Sequence, residues 1–253
     1  EDMNDFILEA CVDSVESALA AARGGATRLE LCGSLVIGGT TPNPWLFKEI
    51  RRHSDIRIHA LIRPRFGDFC YTDEEFILIR EAVKEFRDLG AEGVVIGILK
   101  PDGTLNMEQM KILMEEAGDM SVTLHRAFDV CADPYETLEQ SVSLGIDTIL
   151  TSGQKNICTL GTDLLKDLVD RSAGRIVIQV GSGVNADVIE EIYPKTGARA
   201  YHMSGKITLD STMKYRKEGV NMGLPSISEY EIWRTDEEAV RKARQVLDRL
   251  QGE

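Results

Sequence analysis

The sequence predicts an α/β fold, an eight-stranded parallel (β/α)8 or TIM barrel with a C-terminal extension and helix. Three observations predict it. Strand-like and helix-like runs alternate along the chain, which favours parallel strands joined by right-handed crossovers. Eight strand-like runs fit in about 200 residues, a count that favours a closed barrel over an open sheet. The length, 253 residues, is that of one such barrel.

The strand-like runs are Phe6–Cys11, Arg28–Cys32, Ile56–Arg63, Gly93–Gly97, Val122–Arg126, Thr148–Ser152, Ile176–Gly181 and Ala198–Ser204. Between them lie amphipathic stretches such as Ser14–Arg23, Asp73–Leu89, Met107–Ala117, Tyr135–Leu144 and Leu164–Arg171. Asp73 and Asp133-Pro134 read as helix starts, and Gly90, Gly118 and Gly145 as C-caps. The reading gives one domain over 1–253, with the barrel at 6–204 and a tail at 205–253. The tail holds a polar stretch and a final helix, Asp236–Leu250, expected outside the repeat, under the barrel or on a second subunit.

The competing fold is an open doubly wound sheet. Gly181-Ser182-Gly183-Val184-Asn185-Ala186 mimics its G-x-G-x-x-A fingerprint, but follows the seventh strand rather than the first, and no acidic residue ends the next strand.

Side chains along a strand alternate between faces. Phe6, Leu8, Leu29, Leu31, Ile56, Ile58, Ile62, Val122 and Leu124 therefore face the helices. The inward set is polar: Glu9, Cys11, Arg28, Glu30, Cys32, Arg57, His59, Arg63, Thr123, His125, Gln179 and His202. Barrel lumens are usually layered with branched apolar residues. One explanation is a buried ionic network, to which Arg28 and Arg57 at the strand starts belong. The other is an active site at the C-terminal strand ends, with Glu9, Glu30, His125 and His202 as candidate catalytic groups.

Loops at that end add Arg63-Pro64-Arg65-Phe66-Gly67-Asp68-Phe69-Cys70-Tyr71, His125-Arg126-Ala127-Phe128-Asp129 and Thr151-Ser152-Gly153. Gly181-Ser182-Gly183 and Ser204-Gly205-Lys206 follow the last two strands. Such loops either cradle a phosphate or are simply tight turns. Beside Arg63, Arg65 and Arg126 they point to an anionic ligand, with Asp129, Ser152, Gly181, Gly183 and Ser204 as further candidate contacts.

Five cysteines, Cys11, Cys32, Cys70, Cys131 and Cys158, fall at strand C-termini or in the loops after them. The odd number and the absence of C-x-x-C argue against a disulfide framework and a zinc site. Cys11 and Cys32 lie on neighbouring strands and either share one soft ion such as Cu(I), helped by Met203, or are inert buried thiols. The net charge of −13 argues against nucleic acid and anionic membranes as partners. No apolar run of about 18 residues is present. The acidic start, Glu1-Asp2-Met3-Asn4-Asp5, is unlike a signal peptide, so a cytoplasmic protein is expected.

Long motifs from Leu8 to about Gly219 carry a resemblance. They are Glu30-Leu31-Cys32, Gly38-Gly39-Thr40-Thr41-Pro42, Ile62 to Tyr71, His125-Arg126-Ala127-Phe128-Asp129 and Leu150-Thr151-Ser152-Gly153-Gln154. The chain resembles the CutC family, linked by name to copper homeostasis. The resemblance implies a cytosolic β/α barrel that binds Cu(I) through the cysteines matching Cys11 and Cys32. Tyr201-His202-Met203-Ser204 and Ser182 depart from the family's commoner residues. Two functional expectations follow. One is a copper-binding homeostasis protein. The other is a barrel enzyme acting on a small phosphorylated or carboxylated metabolite, with His125 or Glu30 as base and Arg63 as anion clamp. Homo-oligomerisation is expected through Lys206–Leu250.

Overall fold

The computed structural model describes residues 5–253. Eight parallel strands close into a barrel in sequence order, β1 pairing with both β2 and β8. They are β1 Ile7–Val12, β2 Arg28–Leu31, β3 Arg57–Leu61, β4 Gly93–Ile96, β5 Ser121–Leu124, β6 Thr148–Thr151, β7 Val177–Val180 and β8 Ala200–Met203. Each is followed by a helix: α1 Val15–Gly24, α2 Pro44–His53, α3 Asp73–Leu89, α4 Met107–Ala117, α5 Pro134–Leu144, α6 Thr162–Ser172, α7 Ala186–Thr196 and α8 Glu237–Gln251. The predicted TIM barrel is the observed fold.

Local chemistry sets the boundaries. Thr72 and Glu75 form a reciprocal capping box at the start of α3. Asp133 caps α5 with Pro134 in its first turn, and Asn185 caps α7. Gly90, Gly118 and Gly145 occupy the C-cap positions expected of them.

The main core lies between the strands' outer faces and the helices. Leu8, Leu29, Leu31, Ile58, Ile62, Val122 and Leu124 are all buried there. The lumen holds a smaller apolar cluster, Cys32, Leu61 and Val95, with Cys11 and Leu35 packed on it. Around it, Glu9, Arg28, Glu30, His59, Thr123, His125 and Gln179 are buried polar residues, so the lumen is as polar as the alternation predicts.

The tail differs from the expectation. Its helix, α8, is the eighth member of the ring and packs between α7 and α1 rather than under the barrel. Val240, Ala243 and Leu247 are its buried face. Gly24 permits the close approach, because a Cβ there would lie 2.8 Å from the Val240 Cβ. What stands outside the repeat is the segment between β8 and α8, an exposed two-stranded antiparallel ribbon of β9 Lys206–Asp210 and β10 Glu231–Thr235. Its base is closed by a hydrogen bond from Asp236 N–H to the Gly205 carbonyl, and Thr235 N–H donates to Ser17 Oγ on α1.

Candidate functional site

The register places the polar lumen residues in contact. Glu9 lies opposite Arg28 on β2 and His202 on β8, and Cys11 lies opposite Glu30. Arg28 Nε donates to Glu9 Oε2 at 2.6 Å, and Arg28 Nη2 donates to Gln179 Oε1 at 3.0 Å. Gln179 Nε2 returns a bond to Glu9 Oε1 at 2.9 Å, and His202 Nδ1 lies 2.8 Å from the same oxygen. Burial alone would raise the Glu9 pKa, but the Arg28 charge and the His202 hydrogen bond outweigh it and hold the carboxyl well below its usual range. Glu9 is thus a carboxylate held by three partners, two at Oε1 and one at Oε2. It orients His202 and takes part in the buried ionic network with Arg28.

Glu30 is a different carboxyl. Burial, with the Glu9 charge behind it, raises its pKa, against the opposing effects of His202 and Cys32. The Cys32 thiol donates to Glu30 Oε1 at 3.1 Å. Burial and the Glu30 charge push that thiol well above its ordinary pKa. Burial opposes protonation of His202, yet nearby Cys11, Glu30 and Glu9 raise its pKa well above the ordinary value. The β1–β2–β8 wall therefore carries two thiols, a carboxyl with a raised pKa and an imidazole with a raised pKa.

The opposite wall centres on His125. Its Nδ1 accepts the Ala127 N–H at 3.1 Å, which fixes the proton of the neutral ring on Nε2. Burial, and then the Arg63 charge, lower its pKa to about 3. At neutral pH the free nitrogen is an N–H and not a lone pair. In that state the ring offers a hydrogen-bond donor at Nε2. Gly97 makes room for the ring, since a Cβ there would lie 2.6 Å from His125 Cε1. Phe69 packs on His125 with ring centroids 4.8 Å apart.

These walls enclose a cavity of about 280 Å³ at the C-terminal mouth. Cys11, Glu30, Arg63, His125, Arg126, Gly183, His202, Met203 and Ser204 line it, with Leu35, Leu61, Phe69, Leu150 and Val184 as the apolar part. Arg65, Asp129, Ser152 and Gly181 do not. Arg65 pairs with Glu75 and Asp68 and lies over Tyr71. Asp129 takes Arg126 Nε at 2.6 Å, together with the Thr151 and Ser152 hydroxyls and the Gln154 N–H. That cluster ties the β5 and β6 loops together and pairs Arg126, which lines the cavity, with a carboxylate. The i,i+3 spacing of Arg126 and Asp129 is the sequence signal for this self-pairing. Phe69, Gly97 and Leu150 are site residues that the sequence reading did not single out.

Among the described residues one group of three metal-capable donors lies within 4.8 Å of one another: Glu9, Glu30 and His202. Glu9 is already engaged by Arg28, Gln179 and His202, so an ion at this group would have to displace one of those contacts. The soft donors on the same wall are the thiols of Cys11 and Cys32, on neighbouring strands, with Met203 lining the same cavity. Of the five cysteines Cys11 alone lines it; Cys32 is fully buried in the lumen cluster beside it, and Cys70, Cys131 and Cys158 lie elsewhere.

No helix is long and apolar enough to cross a membrane among the described residues. Comparison with known proteins extends the argument. The CutC family model matches residues 6–207, the barrel from β1 to the start of β9. A CutC family protein of Bacteroides fragilis is 45% identical over 234 residues, 90% of this chain and 92% of that protein. The human copper homeostasis protein cutC homolog is 41% identical over 239 residues, 94% and 88% of the two chains. A crystal structure of CutC from Streptococcus agalactiae superposes with a TM-score of 0.75 at 30% identity, covering 79% of this chain and 98% of that one. The fold, the strand-end motifs and these relatives together place this chain in the CutC family.

Proposed function

We propose that this protein serves copper homeostasis by holding one Cu(I) at the β1–β2 wall of the barrel mouth, through Cys11 and Cys32. The observation that carries the reading is the placing of both cysteines beside Glu30, one on the neighbouring strand and one two residues further along its own chain segment. Cys11 lies opposite Glu30 in register, and the Cys32 thiol is bonded to its carboxyl. Thiolates are the soft ligands that select Cu(I), and two of them suffice for a monovalent ion. The names of the human relative and of the Streptococcus agalactiae structure, both of which mention copper homeostasis, point the same way. Glu30 accepts the Cys32 proton in a hydrogen bond and is placed to take it when the metal binds. A competition titration with a Cu(I) chelator, without oxygen, tests the reading. One Cu(I) per chain, lost in the Cys11→Ser, Cys32→Ser double variant, supports it; equal binding by parent and double variant refutes it.

One observation favours a second reading, a barrel enzyme using acid–base chemistry on a small anionic metabolite. His125 is buried and neutral, and presents an N–H without an acceptor among the described residues. A neutral imidazole that donates to a developing oxyanion, facing a carboxyl with raised pKa, is a known pairing in barrel enzymes. In that reading Glu30 moves the proton and His125 stabilises the charge. Metabolite turnover by the copper-free protein, abolished by Glu30→Gln, is its test.

A further inference from the structure

We propose that the β3–β5 wall of the cavity binds a small carboxylate anion, held by the Nε–H of Arg63 and the Nε2–H of His125. The inference deepens the enzyme reading by naming its substrate class.

Arg63 is half-buried and anchored only by carbonyls. Its Nη1 donates to Gly39 O at 3.1 Å and Ile37 O at 3.4 Å, and its Nη2 donates to Gly67 O at 2.9 Å. No carboxylate pairs with it among the described residues, so these contacts fix the guanidinium without neutralising it. Its Nε–H is buried and has no acceptor. His125 is only 5% exposed, and with Nδ1 engaged by Ala127 its Nε2–H also has no acceptor. Buried donors without partners are uncommon and costly. Two of them, one on a cation, lie in residues lining one cavity.

One ring packs against both side chains. Phe69 sits 4.8 Å from the His125 ring, and the Arg63 Cζ lies 5.2 Å from the Phe69 centroid. Phe69 belongs to the loop whose tip, Phe66 to Asp68, is exposed. Both donors are buried, so in this proposal ligand entry displaces Phe69.

The chemistry selects the ligand. One positive charge beside one neutral N–H matches a monoanionic carboxylate. A phosphate dianion would leave a charge facing Glu30 in a chain of net charge −13. The small cavity, with Leu61 and Leu150 in its wall, suits a short carbon chain.

The test is a titration of the full chain with acetate, lactate and pyruvate, and separately with inorganic phosphate. Ring-nitrogen NMR and calorimetry read the binding. The chain has only four histidines, so the His125 Nε2–H signal is assignable. The expected result is saturable carboxylate binding that shifts this signal. Arg63→Gln and His125→Phe should each weaken it about tenfold or more. No saturable shift, unchanged affinity in both variants, or binding of phosphate in preference to the carboxylates overturns the inference. Should a variant fail to fold, the His125 signal of the parent decides. Binding is read without turnover, so a protein that binds carboxylate but catalyses nothing keeps this inference and loses only the enzyme reading.

Discussion

The Cys32 thiol donates to the carboxylate of Glu30, two residues earlier on the same strand, at 3.1 Å. This contact couples any metal bound by Cys32 to a proton. Burial and the Glu30 charge hold the thiol protonated well above its ordinary pKa, so Cu(I) must displace that proton. Apparent Cu(I) affinity is expected to rise with pH across 6 to 8 by up to one decade per pH unit for each proton released to solvent, and a proton kept on Glu30 flattens that slope. Glu30→Gln removes the charge that raises the thiol pKa and the acceptor for its proton, and should change that slope. Competition titrations at several pH values measure both.

The Glu9–Arg28 pair makes a stability prediction. Both side chains are almost wholly buried, 1% and 3% exposed. Arg28→Leu leaves the Glu9 carboxylate without its main counter-charge and should cost about 3–5 kcal/mol. Glu9→Gln with Arg28→Leu removes both charges and should recover part of that loss. Denaturant unfolding of the three proteins checks the order.

Acid stability should report two neutral rings. Burial first, and Arg28 and Arg63 next, hold His59 and His125 at pKa values of about 3, below the ordinary 6.5. Below pH 6.5 the unfolded chain takes up a proton on each ring that the folded chain refuses until about pH 3. Stability from these rings is present above pH 6.5 and is lost as pH falls toward 3. Together they contribute about 2.7 kcal/mol per pH unit within that window. The raised pKa of Glu30 acts with the opposite sign, so the informative quantity is the change on substitution. His59→Gln and His125→Gln should each flatten the acid limb by about one proton. Unfolding free energies between pH 4.5 and 6.5 give the slopes.

Gly97→Ala tests the seating of His125. The added Cβ would meet the imidazole at 2.6 Å and force the ring out of place. An overpacking cost of about 1–3 kcal/mol is expected. Carboxylate binding at the Arg63–His125 pair should be lost while Cu(I) binding at Cys11 and Cys32 is retained. Parallel titrations with pyruvate and with Cu(I) separate the two walls.

The strand period made much of this legible. Alternation placed Glu9, Arg28, Glu30, His59, His125 and His202 inside before any coordinates, and regular β/α spacing gave the closed barrel. The role of each group was less legible, because it depends on neighbours across strands. Glu9 and Glu30 look alike in the sequence, yet one faces Arg28 and the other a thiol. The donor role of His125 comes from a local turn that aims the Ala127 N–H at Nδ1. Arg65 pairs with Glu75 at the start of α3 and Arg126 with Asp129 of its own loop, contacts set by local geometry. The helix α8 was misplaced because the ribbon Lys206–Thr235 separates it from β8, which hides its membership of the repeat.

The most direct measurement is the copper X-ray absorption spectrum of the protein loaded anaerobically with one Cu(I) per chain. The account predicts a first shell containing two sulfur scatterers, reduced to one in either Cys11→Ser or Cys32→Ser. A first shell of nitrogen and oxygen alone, or a sulfur shell unchanged by both substitutions, would contradict it.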